Sequence, residues 1–254
     1  MTNLRTLFLS GSVALGTMVA LPGMAHAEVQ NIVLVHGANV DGTTWREVYD
    51  RLTAQGFNVT ITQLPMTSVE DDVAAVQRNL DVQDGPVLLV GHSYGGVVIS
   101  EAGIDPDVKG LVYVAAFQPD TGESGGALLA STSTEFTPDK LRVFDDGHYL
   151  VNEDAFISLV GNGLSNEDAL FVARSQAMSH TANLEHEVDA AAWSEKPTWA
   201  AIATEDRIIA PELQRRMAKR AGSTVVEIEN GHMLPMTNPD EVAEVIAQAA
   251  EVVE

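Results

Sequence analysis

The sequence has no cysteine. That absence excludes a disulfide scaffold, a thiolate metal site and a cysteine nucleophile. Basic residues are scarce too: 14 Lys+Arg stand against 36 Asp+Glu, the formal charge is −22, and only 4 of the basic residues are lysine. Such a balance repels phosphate backbones and anionic headgroups, and no Lys/Arg run offers a local exception, so nucleic acid is not an expected partner. Beyond the N-terminus no segment reaches the roughly 18 uninterrupted apolar residues of a membrane span.

What the chain does have is apolar content. Its 254 residues are 45% hydrophobic, enough to fill the core of one domain or two small ones. Met1–Ala27 carries Arg5, an apolar stretch from Leu7 to Leu21, the breakers Pro22 and Gly23, and then Ala25-His26-Ala27. This is the layout of an export signal, with cleavage expected after Ala27 and a periplasmic or secreted product. The apolar stretch is short for a bilayer core about 30 Å thick, so a retained membrane anchor is the weaker reading.

From residue 28 onward, short apolar β-branched runs alternate with amphipathic stretches. Strands are expected at Gln30–His36, Phe57–Leu64, Pro86–Gly91, Val108–Phe117, Trp199–Thr204 and Ser223–Glu229. Helices are expected at Thr43–Gln55, Ser68–Leu80, Tyr94–Ala102, Pro211–Ala221 and Pro239–Val253. Runs that are apolar on both faces indicate a doubly wound, mostly parallel α/β sheet covered by helices on both sides. From about 118 to 197 strand signals as strong as these are missing. Helical patterns such as Glu153–Val160 and Asn166–Met178 predominate there, so this segment reads as a helical cap insertion. A separately folding helical domain is the alternative.

The chemistry converges on one turn. Val87–Val90 runs into Gly91-His92-Ser93-Tyr94-Gly95-Gly96, and a helix follows. A G-x-S-x-G between strand and helix presents the serine hydroxyl on a tight, strained turn, with glycines where a Cβ would collide with neighbouring backbone. A serine needs a base, and the base needs a carboxylate to hold its tautomer. In this architecture the order is Ser, acid, His, each following a strand. Asp206 follows the Trp199 strand and His232 follows the Ser223 strand, so Ser93, Asp206 and His232 form the candidate triad, with Glu205 and Asp120 as competing acids. The candidate oxyanion donors are the amides of Tyr94, directly after the nucleophile, and Ala38, in the loop after the first strand. His36 and His92 are expected to shape loops, and His148, His180 and His186 show no metal-ligand spacing. No metal or cofactor is implied. Tyr149, Phe156, Met178 and Met233 are the candidate substrate contacts, with Leu159 and Phe171 at similar spacing, although residues so spaced also pack helices together.

These motifs resemble the α/β-hydrolase superfamily, and most closely the small serine esterases related to plant methyl esterases and hydroxynitrile lyases. The resemblance is carried by Leu34-Val35-His36-Gly37-Ala38 with Trp45, by Gly91–Gly96, by Thr204–Arg207 with Pro211–Arg215, and by Gly231-His232-Met233. It implies the same triad and the cleavage of small to medium carboxylic esters through an acyl-enzyme. The lyases of that family carry threonine and lysine where this chain has Gly37 and Met233, and a thioether supplies no positive charge for departing cyanide. Related epoxide hydrolases and dehalogenases use an aspartate nucleophile, unlike Ser93. A cofactor-free perhydrolase and a non-turnover ligand-binding protein remain as alternatives. Oligomeric state is not legible.

Overall fold

The computed structural model describes residues 29–253. The export signal expected at Met1–Ala27 lies outside them. The chain opens with β1 (Asn31–Val35), a 3-10 turn over Gly42–Trp45 and α1 (Arg46–Ala54). Then come β2 (Asn58–Thr62), α2 (Val69–Leu80), β3 (Val87–His92), α3 (Gly95–Ala102) and β4 (Val108–Val114).

Between β4 and the next sheet strand the chain makes a long insertion. It holds α4 (Gly125–Ala130), β5 (Leu141–Val143), β6 (His148–Val151), α5 (Glu153–Ala155), a π-helical turn over Phe156–Val160, α6 (Asn166–Arg174), β7 (Ser179–His180) and α7 (Ala182–Glu185). Besides its helices this segment contains a small antiparallel sheet, β5-β6-β7, which periodicity did not suggest. The chain rejoins the main sheet with β8 (Thr198–Ala203), α8 (Pro211–Ala221), β9 (Thr224–Ile228), α9 (Leu234–Thr237) and α10 (Pro239–Val252).

Among the described residues the main sheet has the order β2-β1-β3-β4-β8-β9, with every neighbouring pair parallel. Successive side chains of a strand point to opposite faces. Val33 and Val35 therefore join one core with Val76 of α2, Val97 of α3 and Leu213 of α8, while Ile32 and Leu34 join the other with Val48 of α1 and Ile246 of α10. Local signals set the helix limits: Ser68 caps α2 by accepting from the Asp71 amide at 3.1 Å, and Pro211 and Pro239 open their helices without losing a ladder bond. The chain moves from β1 to one side for β2 and to the other for β3, so the carboxyl ends of β1 and β3 flank a crevice. In open α/β sheets ligands bind at that switch point.

Candidate active site

Ser93 sits in the turn between β3 and α3 at φ +55°, a conformation uncommon for a residue with a side chain. Sequence makes the turn feasible. A Cβ on Gly91 would lie 2.6 Å from the Gly95 carbonyl oxygen, and one on Gly95 would lie 2.7 Å from that of Val35. Only glycine lets the three backbones approach this closely.

The hydroxyl of Ser93 donates to His232 Nε2 at 2.8 Å, and His232 Nδ1 donates to Asp206 Oδ2 at 2.7 Å. All three are buried. Asp206 is held from four directions: Oδ1 accepts from the amides of Ile208 (2.8 Å) and Ile209 (3.0 Å), and Oδ2 also accepts from Gln214 Nε2 at 2.8 Å. A buried carboxylate so fully satisfied stays fixed beside its histidine. Of the competing acids, Glu205 points to solvent, and the Asp120 carboxylate accepts from the Thr121 amide; neither reaches His232. Gln214 was not among the sequence candidates. Its only signal is its place one turn into α8, directly after the acid loop.

The other two histidines of the site are neutral. Burial pushes His92 down to about 3, its Nε2 donates to the His232 carbonyl at 2.9 Å, and its ring lies 5.0 Å from that of His232. His36 is also lowered by burial; its Nδ1 donates to Gly37 O and its Nε2 accepts from the Leu64 amide, so it clasps the loop after β1 to the end of β2.

Above Ser93 is a cavity of about 40 Å³ whose floor includes Ala38, Asn39, Tyr94 and His232. Among the described residues neither the Ala38 nor the Tyr94 amide donates a hydrogen bond, and both residues border this space beside Ser93. Asn39 lies at φ +58° and donates from Nδ2 to the carbonyls of Tyr149 (3.2 Å) and Ala177 (3.3 Å), tying the loop after β1 to the insertion. The Gly37-Ala38-Asn39 run carried that turn signal, since asparagine tolerates left-handed backbone.

Of the four expected substrate contacts, Tyr149 alone borders the cavity. Phe156 begins the π-turn and is packed wholly into the core shared by sheet and insertion, as is Met233. Met178 is 48% exposed. The reason is that α6 ends at Arg174, where Gln176 turns to bond both the amide and the carbonyl of Val151 at 2.9 Å, and Met178 leaves the helical stripe. Phe171 faces solvent on α6, and Leu159 is buried with the π-turn. The roof is instead made by Leu129, Phe136, Val151 and Leu184, side chains of short elements and loops. Among the described residues no group of three His, Asp or Glu side chains is placed to hold a metal ion.

The model of the alpha/beta hydrolase family matches residues 32–245. An alpha/beta hydrolase, nvfD, of Aspergillus novofumigatus is 26% identical over 243 residues, covering 86% of this chain and 96% of that one. A carbendazim hydrolyzing esterase of a Nocardioides strain is 35% identical over 120 residues, covering 39% of this chain and 47% of the esterase, so the match spans about half of that protein. Among solved structures, a pyrethroid hydrolase from Sphingobium faniae superposes with a TM-score of 0.74 at 23% identity, over 88% of this chain and 98% of that one. That last likeness is one of fold.

Proposed function

The chain belongs to the alpha/beta hydrolase family, and from that premise we propose that it hydrolyses carboxylic esters through an acyl-enzyme on Ser93. The observation that carries this reading is the unbroken relay from Ser93 Oγ through His232 to Asp206, at 2.8 and 2.7 Å. Ser93 Oγ attacks the ester carbonyl carbon while His232 Nε2 takes the hydroxyl proton, and Asp206 stabilises the resulting imidazolium. The carbonyl oxygen becomes an oxyanion held by the amides of Tyr94 and Ala38. Collapse of this intermediate breaks the ester C–O bond, and His232 returns its proton to the departing alcohol. Water then adds to the acyl group, gives its proton to His232, and the acid leaves as Ser93 recovers its hydrogen.

The surroundings favour esters with an uncharged, apolar arm. Beyond Leu129, Phe136 and Leu184 lies a second cavity of about 430 Å³ that shares those three side chains with the cavity over Ser93. Its walls offer hydroxyls but no charged group, and its size is typical of a small-molecule site. The inner chamber holds only about two or three waters, so the three shared side chains must shift for a bulky arm to pass. Relatives named as methylesterases and as a carbendazim esterase act in the same reaction class.

Ser93→Ala is expected to lower turnover of p-nitrophenyl acetate by at least about 10³-fold while the far-ultraviolet circular dichroism is retained. Undiminished turnover would remove the proposal.

A further inference from the structure

Asp72 is fully buried, and the acyl-transfer steps do not use it. It lies in the first turn of α2, where the helix dipole favours a carboxylate. Both of its oxygens are engaged: Oδ2 accepts from the Tyr94 phenol and Oδ1 from the Met66 amide, each at 2.7 Å. Burial pushes the carboxyl up to about 6, against the pull of those two hydrogen bonds. Burial, together with the nearby Asp72, also carries the Tyr94 phenol well above its ordinary value. At neutral pH the phenol is therefore a firm donor and the carboxylate an acceptor.

The two partners of Asp72 are not arbitrary. Tyr94 follows the nucleophile and borders the cavity over Ser93, and its phenol reaches across to α2. Its backbone stands at the start of α3 with no side chain capping that turn. Neighbouring Ser93 is held at positive φ, a conformation that persists only where its surroundings impose it. Met66 is at φ +63°, and its carbonyl accepts from the His180 amide (3.1 Å) and from Asn183 Nδ2 (3.2 Å), both in the insertion. One carboxylate thus joins the nucleophile turn to the loop on which the insertion rests.

We propose that Asp72 is a positioning residue for acyl transfer: through the Tyr94 phenol it holds the Tyr94 amide in line with the oxyanion. This role rests on the acyl-enzyme reading above. Oxyanion donors act on charge that exists only after attack, so loosening one lowers kcat and leaves KM nearly unchanged.

Tyr94→Phe keeps the ring and deletes the bond. Asp72→Asn keeps the shape and the acceptor for Met66, and turns an amide N–H toward the phenol oxygen. Asp72→Ala removes both contacts and is at risk of misfolding, so the first two variants carry the test. Tyr94→Phe should lower kcat on p-nitrophenyl acetate about tenfold with KM changed less than about twofold. Asp72→Asn should lose less, and the double variant should fall no further than Tyr94→Phe alone, because both act on one link. A merely structural role would lower the melting temperature while leaving kcat of the folded protein intact; that result, or additive losses, overturns the proposal.

Covalent labelling of Ser93 by a p-nitrophenyl alkylphosphonate separates this idea from the one beneath it, since labelling needs the serine and the oxyanion donors but no ester turnover. Slower labelling of Tyr94→Phe at saturating reagent supports the role of Asp72. Equal labelling overturns it with the acyl-enzyme intact, whereas wild type that takes no label removes the acyl-enzyme reading and the positioning role together.

Discussion

His92 and His232 lie ring to ring at 5.0 Å, yet their environments give them different chemistry. His92 has no carboxylate partner and is held neutral by burial, while His232 stands between an alcohol and a carboxylate fixed by four donors. The same contrast separates the two buried aspartates. Asp206 faces an imidazole that becomes cationic during the reaction, whereas Asp72 faces only neutral donors, and burial raises its carboxyl from 3.8 to about 6. A carboxyl raised on folding binds its proton more tightly in the folded state, so stability is lost as pH climbs from about 4 to about 6 and is then constant. Asp72→Asn has no such loss. Its melting temperature relative to wild type should therefore rise between pH 5 and pH 7 and stay level above; thermal melts across that range check it, and an offset independent of pH would sink it.

At the scale of the element, the nucleophile turn is held by backbone packed against backbone. A Cβ on Gly96 would lie 1.9 Å from the Phe117 carbonyl oxygen, in the segment that leaves β4, and Phe117 also donates its amide to Ser93 O at 3.1 Å. Neither the first turn of α3 nor the segment leaving β4 has room to yield, so Gly96→Ala should cost on the order of 3 kcal/mol in urea unfolding and lower kcat as the turn is displaced. A cost below about 0.5 kcal/mol would mean that the turn is softer than its geometry implies. This turn was legible from sequence because its constraint is local: strand, glycines, serine and helix are contiguous. The same holds for the six sheet strands, whose apolar runs gave their positions to within three residues at either end. The insertion was less legible. Its strands have only two to four residues, too short for a period to emerge, as in Leu141–Val143. One signal there was available: Asp146-Gly147, with Gly147 at φ +85°, is a hairpin signature between Leu141–Val143 and His148–Val151. The roof residues Leu129, Phe136 and Leu184 had none, because their approach to Ser93 depends on how separate short segments pack.

Over the whole molecule, charge sets the remaining behaviour. Arg46, Arg51, Arg174, Arg207, Arg215, Arg220 and Lys140 each pair with a carboxylate, and all of these pairs lie at the surface. Exposed pairs contribute about 0–1 kcal/mol each and are weakened by salt. Against them stands the excess behind a net charge of −22, in which unpaired carboxylates repel across the surface of the compact state more than in the expanded chain. The two effects have opposite salt dependence, and magnitude decides between them. Those seven of the 14 basic residues act only in short-range pairs, whereas the surplus of acids interacts over distances comparable to a Debye length, about 10 Å at 0.1 M salt and about 3 Å at 1 M. Relief of repulsion should therefore outweigh loss of the pairs, and the melting temperature should rise from 0.05 M to about 1 M sodium chloride. Sodium chloride is the suitable probe because sulfate would also strengthen apolar burial and confound the cause. A flat or falling melting temperature would mean that the surface pairs, and not the acidic surplus, dominate the electrostatics of this fold.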